Sequence, residues 1–255
     1  MGRLARFLWR EVAPLLAAVA LALLLRVFLI DSFRIPSSSM FPTLLVGDHL
    51  FVDKLAYGPR IPATGVRLPG RRAPRRGDVV VFQAARQGPA VVPADRRPDL
   101  PREDFIKRIV GIPGDTLEVR EGRVLLNGEL LESQATGETF QDELGRALTR
   151  RREHLDGCRH DWLDDPNSRG PELARFTIEP GRYFVMGDNR DNSNDSRIWG
   201  TVRFEEIKGP AWRLYWSWDY NGGWLPLLNP LTWWRVEKRW GRIGDSLGCP
   251  RAGAR

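Results

Sequence analysis

Cysteine, histidine and lysine are all scarce in this 255-residue chain, and each shortage closes off a class of function. Two cysteines are too few for a disulfide-stapled mini-protein or a four-cysteine zinc site. Of the three histidines, His49 lies in a strand-like run and reads as packing. His154, Cys158 and His160 stand near one another, but their spacing matches no zinc signature, so neither a metal nor another cofactor is expected. A Ser-His-Asp triad has no motif behind it. The net charge of +7 permits contact with nucleic acid or an anionic membrane, yet no zinc-finger or RNP signature accompanies it, and nucleic acid is not an expected partner. Disorder is excluded by the 42% hydrophobic content. Among the 39 cationic residues, Lys54, Lys107, Lys208 and Lys238 are the lysines and all others are arginine.

Long apolar runs are equally few. The one that stands out, Val12 to Ile30, holds 19 residues and a single charge, Arg26. As a helix it would rise about 28 Å, close to a bilayer core. Pro14 falls in the first turn, where a helix tolerates it, and Arg26 is near enough to the end to snorkel. The following Asp31 to Pro36 offers no Ala-x-Ala cleavage site, so the segment reads as an uncleaved signal anchor. Arg3, Arg6 and Arg10 precede the span, whereas Arg34 alone follows it closely; residues 1–11 are therefore expected in the cytoplasm and everything after residue 31 outside.

Beyond residue 45 the pattern is β. Short apolar or alternating runs cover His49–Tyr57, Asp78–Phe82, Asp104–Val110, Thr116–Leu131, Arg175–Ile178 and Arg182–Met186. Gly77-Asp78, Pro113-Gly114, Glu121-Gly122, Asn127-Gly128 and Pro180-Gly181 separate them, and Glu121-Gly122 and Asn127-Gly128 are hairpin signals. With no long amphipathic helix after the anchor, an antiparallel, mostly β fold is expected. Pro59–Arg76 and Gln87–Arg102, rich in Pro and Arg, read as exposed loops. Gln134–Pro171 is polar, with Trp162 its one tryptophan, and reads as a small helical excursion. Seven of the ten tryptophans lie between 212 and 240. A core strand face and a membrane interface are both open for Trp212, Trp216 and Trp218; Trp233 and Trp234, beside Arg235, Lys238 and Arg239, read as interfacial.

Three segments carry chemistry. Ser37-Ser38-Ser39-Met40-Phe41-Pro42-Thr43 follows the span by seven residues and is framed by prolines and apolar side chains, which favours a rigid turn over a loose serine loop. Lys107 sits in Asp104–Val110, where a strand puts Phe105, Lys107 and Ile109 on one face. An apolar face lowers the pKa of an ammonium, and a neutral amine can take a serine proton; arginine cannot. A lysine snorkelling from a strand edge is the plain alternative. Gly187 to Arg197 is acidic, but an EF-hand register from Asp188 would place Arg190 and Trp199 where carboxylates are needed. A turn laced by Asx bonds and Asp–Arg pairs fits it better.

Taken in order, the anchor, the Ser37–Thr43 box, Leu45-Val46-Gly47-Asp48, Lys54–Gly58, Arg76–Phe82, Ile106-Lys107-Arg108 through Pro113-Gly114-Asp115, and Gly187–Arg197 resemble type I signal peptidase, the bacterial membrane-anchored Ser-Lys protease family. The resemblance covers most of residues 12–215. It implies an antiparallel β catalytic core with a smaller inserted cap, behind one transmembrane helix. The corresponding division is 12–30 anchor, 31–130 core, 131–174 cap, 175–240 core with the Trp-rich membrane-proximal segment, and 241–255 tail. It also implies Ser39 as nucleophile and Lys107 as general base, the Ser39 amide and Ser37 hydroxyl as oxyanion hole, and Ser193 orienting the amine. Arg108 with Asp188 and Asp195 with Arg197 would brace the site, while Ile35, Pro36, Met40, Phe105 and Ile106 would line pockets for small side chains. The implied activity is removal of signal peptides from exported preproteins after small residues of the Ala-x-Ala type. The implied setting is the bacterial inner membrane, beside the translocation machinery, with the catalytic domain periplasmic or extracellular. Ser38 stands where the family commonly has glycine, and Phe41 would narrow a pocket. Whether Cys158 and Cys249 pair stays open, because their separation in space is not visible in the sequence. A Ser-Lys peptidase dedicated to one pilin- or conjugation-type partner, and a catalytically inactive envelope scaffold, are the competing readings.

Overall fold

The structure, a computed structural model, describes residues 2, 7–61, 64–83, 103–219 and 237–249. A π-helical turn, Leu8–Val12, runs into the α-helix Ala13–Phe28, with Pro14 in its first turn. Together they supply a 20-residue apolar helix, Trp9–Phe28, none of it buried against the rest of the chain. The helix stops earlier than the expected span. Leu29 caps it, and Ile30 opens strand β1 (Ile30–Arg34), where it pairs with Asp53.

Every strand ladder among the described residues is antiparallel. The main sheet runs β1, β2 (Asp48–Asp53), β14 (Ile207–Asp219), β3 (Val79–Phe82), β4 (Phe105–Gly111), β12 (Arg182–Met186) and β13 (Val202–Arg203), with β15 (Glu237–Lys238) beside β14. A four-stranded sheet combines β11 (Leu173–Thr177), β5 (Thr116–Arg120), β6 (Arg123–Leu126) and β7 (Glu129–Leu130). A three-stranded sheet combines β10 (Cys158–Asp164), β9 (Ala147–Leu155) and β8 (Ser133–Gln141). Buried side chains line both sides of the main sheet. Ile35, Met40, Leu50, Val79, Val81 and Ile106 share one cluster, and Val80, Phe82, Ile109, Val185 and Trp199 share another.

Several expectations change. The run His49–Tyr57 is a strand only to Asp53; the Asp53 carboxylate accepts the Ala56 N–H and caps a one-turn helix, Lys54–Tyr57. Gln134–Pro171 holds strands β8–β10 rather than a helix. Its polarity hides the strands, because Arg150 and Arg152 pair with Asp161 across the β9–β10 ladder, while Leu148, Leu155 and Leu163 are buried. Asp156-Gly157 closes that hairpin with φ of 54° and 77°, values a two-residue primed turn requires. Trp212, Trp216 and Trp218 do not share one core face. Register shifts on both sides of Leu214 break the alternation, so Ala211, Leu214 and Ser217 are buried, Trp212 is exposed and the other two tryptophans are half-buried. Trp233, Trp234, Arg3, Arg6 and the loop Gln87–Arg102 lie outside the described residues.

Candidate active site

Ser39 is held from both sides by its neighbours. Ser38–Met40 form a single 3-10 turn. Before it, Ile35 is buried and its carbonyl accepts the Gly47 N–H at 3.0 Å; after it, Met40 and Leu44 insert into the same apolar cluster. Phe41 points elsewhere, into a cluster with Leu148, Leu163 and Phe140 of the three-stranded sheet. It thus ties the serine turn to the three-stranded sheet.

Lys107 approaches from the centre of β4, opposite Val80 of β3. Its Nζ donates to Ser39 Oγ at 2.6 Å, and the residue is 4% exposed. Among the described residues no carboxylate forms an ion pair with it. Burial is the largest influence on its pKa, which falls from 10.5 to about 8; the charges of Asp195 and Asp188 oppose that fall and Arg197 assists it. The amine is therefore neutral in a large fraction of molecules near pH 8. Ser37 Oγ lies 3.5 Å from Ser39 Oγ and is exposed.

The brace residues form saturated networks. Arg108 grips Asp188 with two bonds, Nε to Oδ1 at 2.8 Å and Nη2 to Oδ2 at 2.6 Å, and donates a third to the Gly77 carbonyl. Thr43 Oγ1 donates to the same Asp188 carboxylate at 2.5 Å. Arg197 makes a bidentate pair with Asp195 and also donates to the Arg190 carbonyl at 2.6 Å, while Asp195 accepts the Gly187 N–H. Both carboxyls are held below the usual range. Burial alone would raise them, and the partner arginine in each case more than compensates. Glu153 of β9 pairs with Arg190 at 2.6 Å; burial works against its charge, yet Arg190 and His160 hold its carboxyl down at about 2.

Ser193 departs from expectation. Its Oγ is buried with no hydrogen-bond partner among the described residues, so the anticipated contact with the lysine amine is absent. It nonetheless belongs to the site. A Cβ on Gly187 would fall 2.3 Å from Ser193 Oγ and 2.5 Å from the Ser39 carbonyl oxygen, a gap that admits glycine alone.

The residues expected to line substrate pockets divide. Ile35, Met40 and Ile106 lie together in one buried cluster. Phe105, on the opposite face of β4, packs with Phe82 and Trp199, and Pro36 is exposed. His154, Cys158 and His160 form no metal site: Cys158 is disulfide-bonded to Cys249, with Cα atoms 5.4 Å apart, and His160 faces Glu153.

Two asparagines escaped the sequence reading. The Asn189 backbone N–H donates to the Ser39 carbonyl at 3.1 Å and its side chain donates to the Ser38 carbonyl at 3.2 Å. Asn192 Nδ2 donates to Ser38 Oγ at 3.1 Å. The extra hydroxyl of Ser38 is thus spent on the brace loop. Both asparagines sit inside the Gly187–Arg197 segment, but a run of Asp and Asn gives no sign of which side chains will reach a distant turn.

A family described as signal peptidase, peptidase S26, matches residues 8–216. A signal peptidase I of Pseudomonas aeruginosa is 38% identical over 226 residues, covering 78% of this chain and 69% of that protein. A signal peptidase I of Aquifex aeolicus is 32% identical over 281 residues, covering 93% of this chain and 98% of that protein. Among solved structures, a signal peptidase I from Enterococcus faecalis aligns with a TM-score of 0.33 at 24% identity, over 55% of this chain and 97% of that one.

Proposed function

This chain belongs to the peptidase S26 family of signal peptidases, and we propose that in it Ser39 is the nucleophile and Lys107 the general base of signal-peptide cleavage. The enzyme is a membrane-anchored serine endopeptidase acting on signal peptides. One observation carries the assignment of the dyad: a buried amine, free of any described carboxylate partner, lies 2.6 Å from a serine hydroxyl.

The reaction follows from that contact. Neutral Lys107 Nζ accepts the proton of Ser39 as Oγ attacks the scissile carbonyl carbon. The resulting oxyanion is met by the Ser39 amide and the exposed Ser37 hydroxyl, which stands beside the nucleophile. As the peptide bond breaks, the lysine returns its proton to the departing amine of the mature protein, leaving the signal peptide esterified to Ser39. The amine, neutral again, takes a proton from a water molecule as that water attacks the ester carbonyl, and passes it to Ser39 Oγ as the acyl–oxygen bond breaks, releasing the signal peptide with a free carboxyl terminus. Ser193, its Oγ buried and unpartnered across Gly187 from Ser39, closes the space around the dyad. Arg108 with Asp188 and Asp195 with Arg197 hold the brace loop in place. Ile35, Met40 and Ile106 supply apolar walls that select small residues, in keeping with Ala-x-Ala sites.

Position in the cell belongs to the same proposal. The arginines Arg3, Arg6 and Arg10 favour a cytoplasmic N-terminus and a catalytic domain on the periplasmic or extracellular side. Ser39 follows Ile30 by nine residues, at most about 30 Å of chain, so the nucleophile is held near the bilayer where the translocation machinery releases precursors. The test is incubation of the full chain with a mixture of secretory precursors, followed by N-terminal sequencing of the products. Wild type is expected to yield mature proteins cut after small residues and Ser39→Ala none; cleavage by Ser39→Ala would refute the nucleophile.

A further inference from the structure

The apolar helix and the catalytic sheet meet around a cavity of about 300 Å³, lined by Val27, Asp31, Lys54, Pro59, Arg60 and Lys208. Three of these six side chains are cationic and one is acidic, while Val27 and Pro59 give it apolar walls. Lys54 is occupied at the helix end: its Nζ donates to the carbonyls of Arg26 at 2.8 Å and Val27 at 3.4 Å, and pairs with Asp31 at 3.1 Å. Lys208 pairs with Asp104 at 2.7 Å and lies over the Phe33 ring. Arg60 differs. Its guanidinium donates to the Ile207 carbonyl at 3.5 Å, and among the described residues no carboxylate pairs with it. Arg60 is exposed, yet partial burial weakens its hold on its proton, with Glu205 and Glu206 opposing at longer range, so a close anion would favour its charged form.

Depth decides which anion. A 20-residue helix rises about 30 Å, the thickness of the hydrocarbon core, so its C-terminal end at Val27 and Phe28 lies at the boundary with the headgroups. The cavity opens at that boundary, where lipid phosphodiesters are concentrated. We propose that it is a binding site for the phosphodiester of an anionic membrane phospholipid, with Arg60 and Lys208 as its principal ligands and Lys54 fixing the helix end that forms one wall. A zwitterionic lipid brings the same phosphate with a cation attached, and that cation is repelled by the cavity's excess positive charge. The inference rests on the helix crossing the bilayer and not on the roles given to Ser39 and Lys107.

The test uses the full chain in vesicles of phosphatidylcholine with phosphatidylglycerol, extracted into mild detergent and examined by native mass spectrometry for retained lipid. Wild type is expected to retain phosphatidylglycerol with about tenfold or greater preference over phosphatidylcholine, two cations near a membrane surface being worth that much. The Arg60→Gln/Lys208→Gln variant is expected to lose the preference, and the charge-keeping Arg60→Lys/Lys208→Arg variant to keep most of it. Cleavage of a soluble signal-peptide substrate in detergent should be the same for all three, which reports folding separately; if the double variant fails that control, Arg60→Gln alone, on an exposed side chain, takes its place. No preference in wild type, or an unchanged preference without the cations, would overturn the proposal. Displacement of the lipid by millimolar inorganic phosphate would do so too, assigning the cavity to free phosphate.

Discussion

Lys107 and Arg108 are neighbours on one strand, equally buried at 4% and 3% exposure, and their surroundings treat them in opposite ways. Arg108 faces a carboxylate, a threonine hydroxyl and a carbonyl that together satisfy its charge. Lys107 faces a serine hydroxyl, with the nearest acidic charges already claimed by Arg108 and Arg197. A buried cation costs several kcal/mol unless it is paired or gives up its proton. The brace face of β4 takes the first course and gains a fixed geometry. The serine face, in the proposed mechanism, takes the second and gains a base. Arginine suits only the first, which is why the lysine matters in a chain that otherwise prefers arginine.

The largest expected effect comes from erasing the difference. Lys107→Arg should reduce kcat for signal-peptide cleavage by about a thousandfold or more, because the guanidinium keeps its proton. Substantial turnover in a folded variant would remove the neutral-amine mechanism. Next in size is damage to the opposite face. Arg108→Met leaves Asp188 buried without its partner and should cost about 3–5 kcal/mol in denaturant unfolding. In whatever fraction folds, the bared Asp188 charge should raise the pH midpoint of cleavage, since Asp188 is one of the two charges that oppose the fall of the lysine pKa.

That midpoint is a third expectation. If Lys107 is the base, the proposed mechanism needs its amine unprotonated, so kcat/KM should climb with pH, pass half of its plateau near 8, and be about a hundredfold lower at pH 6, on the alkaline side of which the neutral form grows tenfold per unit. A flat profile between those limits would show that the amine is not what limits the rate. The smallest effect should follow Ser38→Gly. It removes the hydroxyl that accepts from Asn192 and should lower kcat a few-fold, at about 1 kcal/mol for one hydrogen bond, without moving the pH midpoint. A shift in that midpoint would place Ser38 on the serine face of the comparison after all.

Much of the fold was legible because its signals are local. Asn127-Gly128 and Glu121-Gly122 announced hairpins, and both have the positive φ such turns need. Asp156-Gly157 carries the same signal and went unread, because the arginine-rich strands beside it looked too polar to belong to a sheet. Their polar faces are satisfied by one another across the ladder, a pairing that composition cannot express. The dyad residues could be singled out by the framing prolines around Ser39 and the apolar neighbours of Lys107. Asn189 could not, since its value lies in reaching two carbonyls of a turn 150 residues away in the chain.

Periodicity, turn residues and one apolar run were enough to determine an anchored antiparallel β protein with a serine and an unusual lysine, since each of these is set by a residue and its near neighbours. Tertiary structure alone decided which cation would be paired and which left bare, that Phe41 would tie the serine turn to the three-stranded sheet, and that Cys158 would meet Cys249. Charge, burial and distance act through space, and the order of residues along a chain does not specify what lies across it.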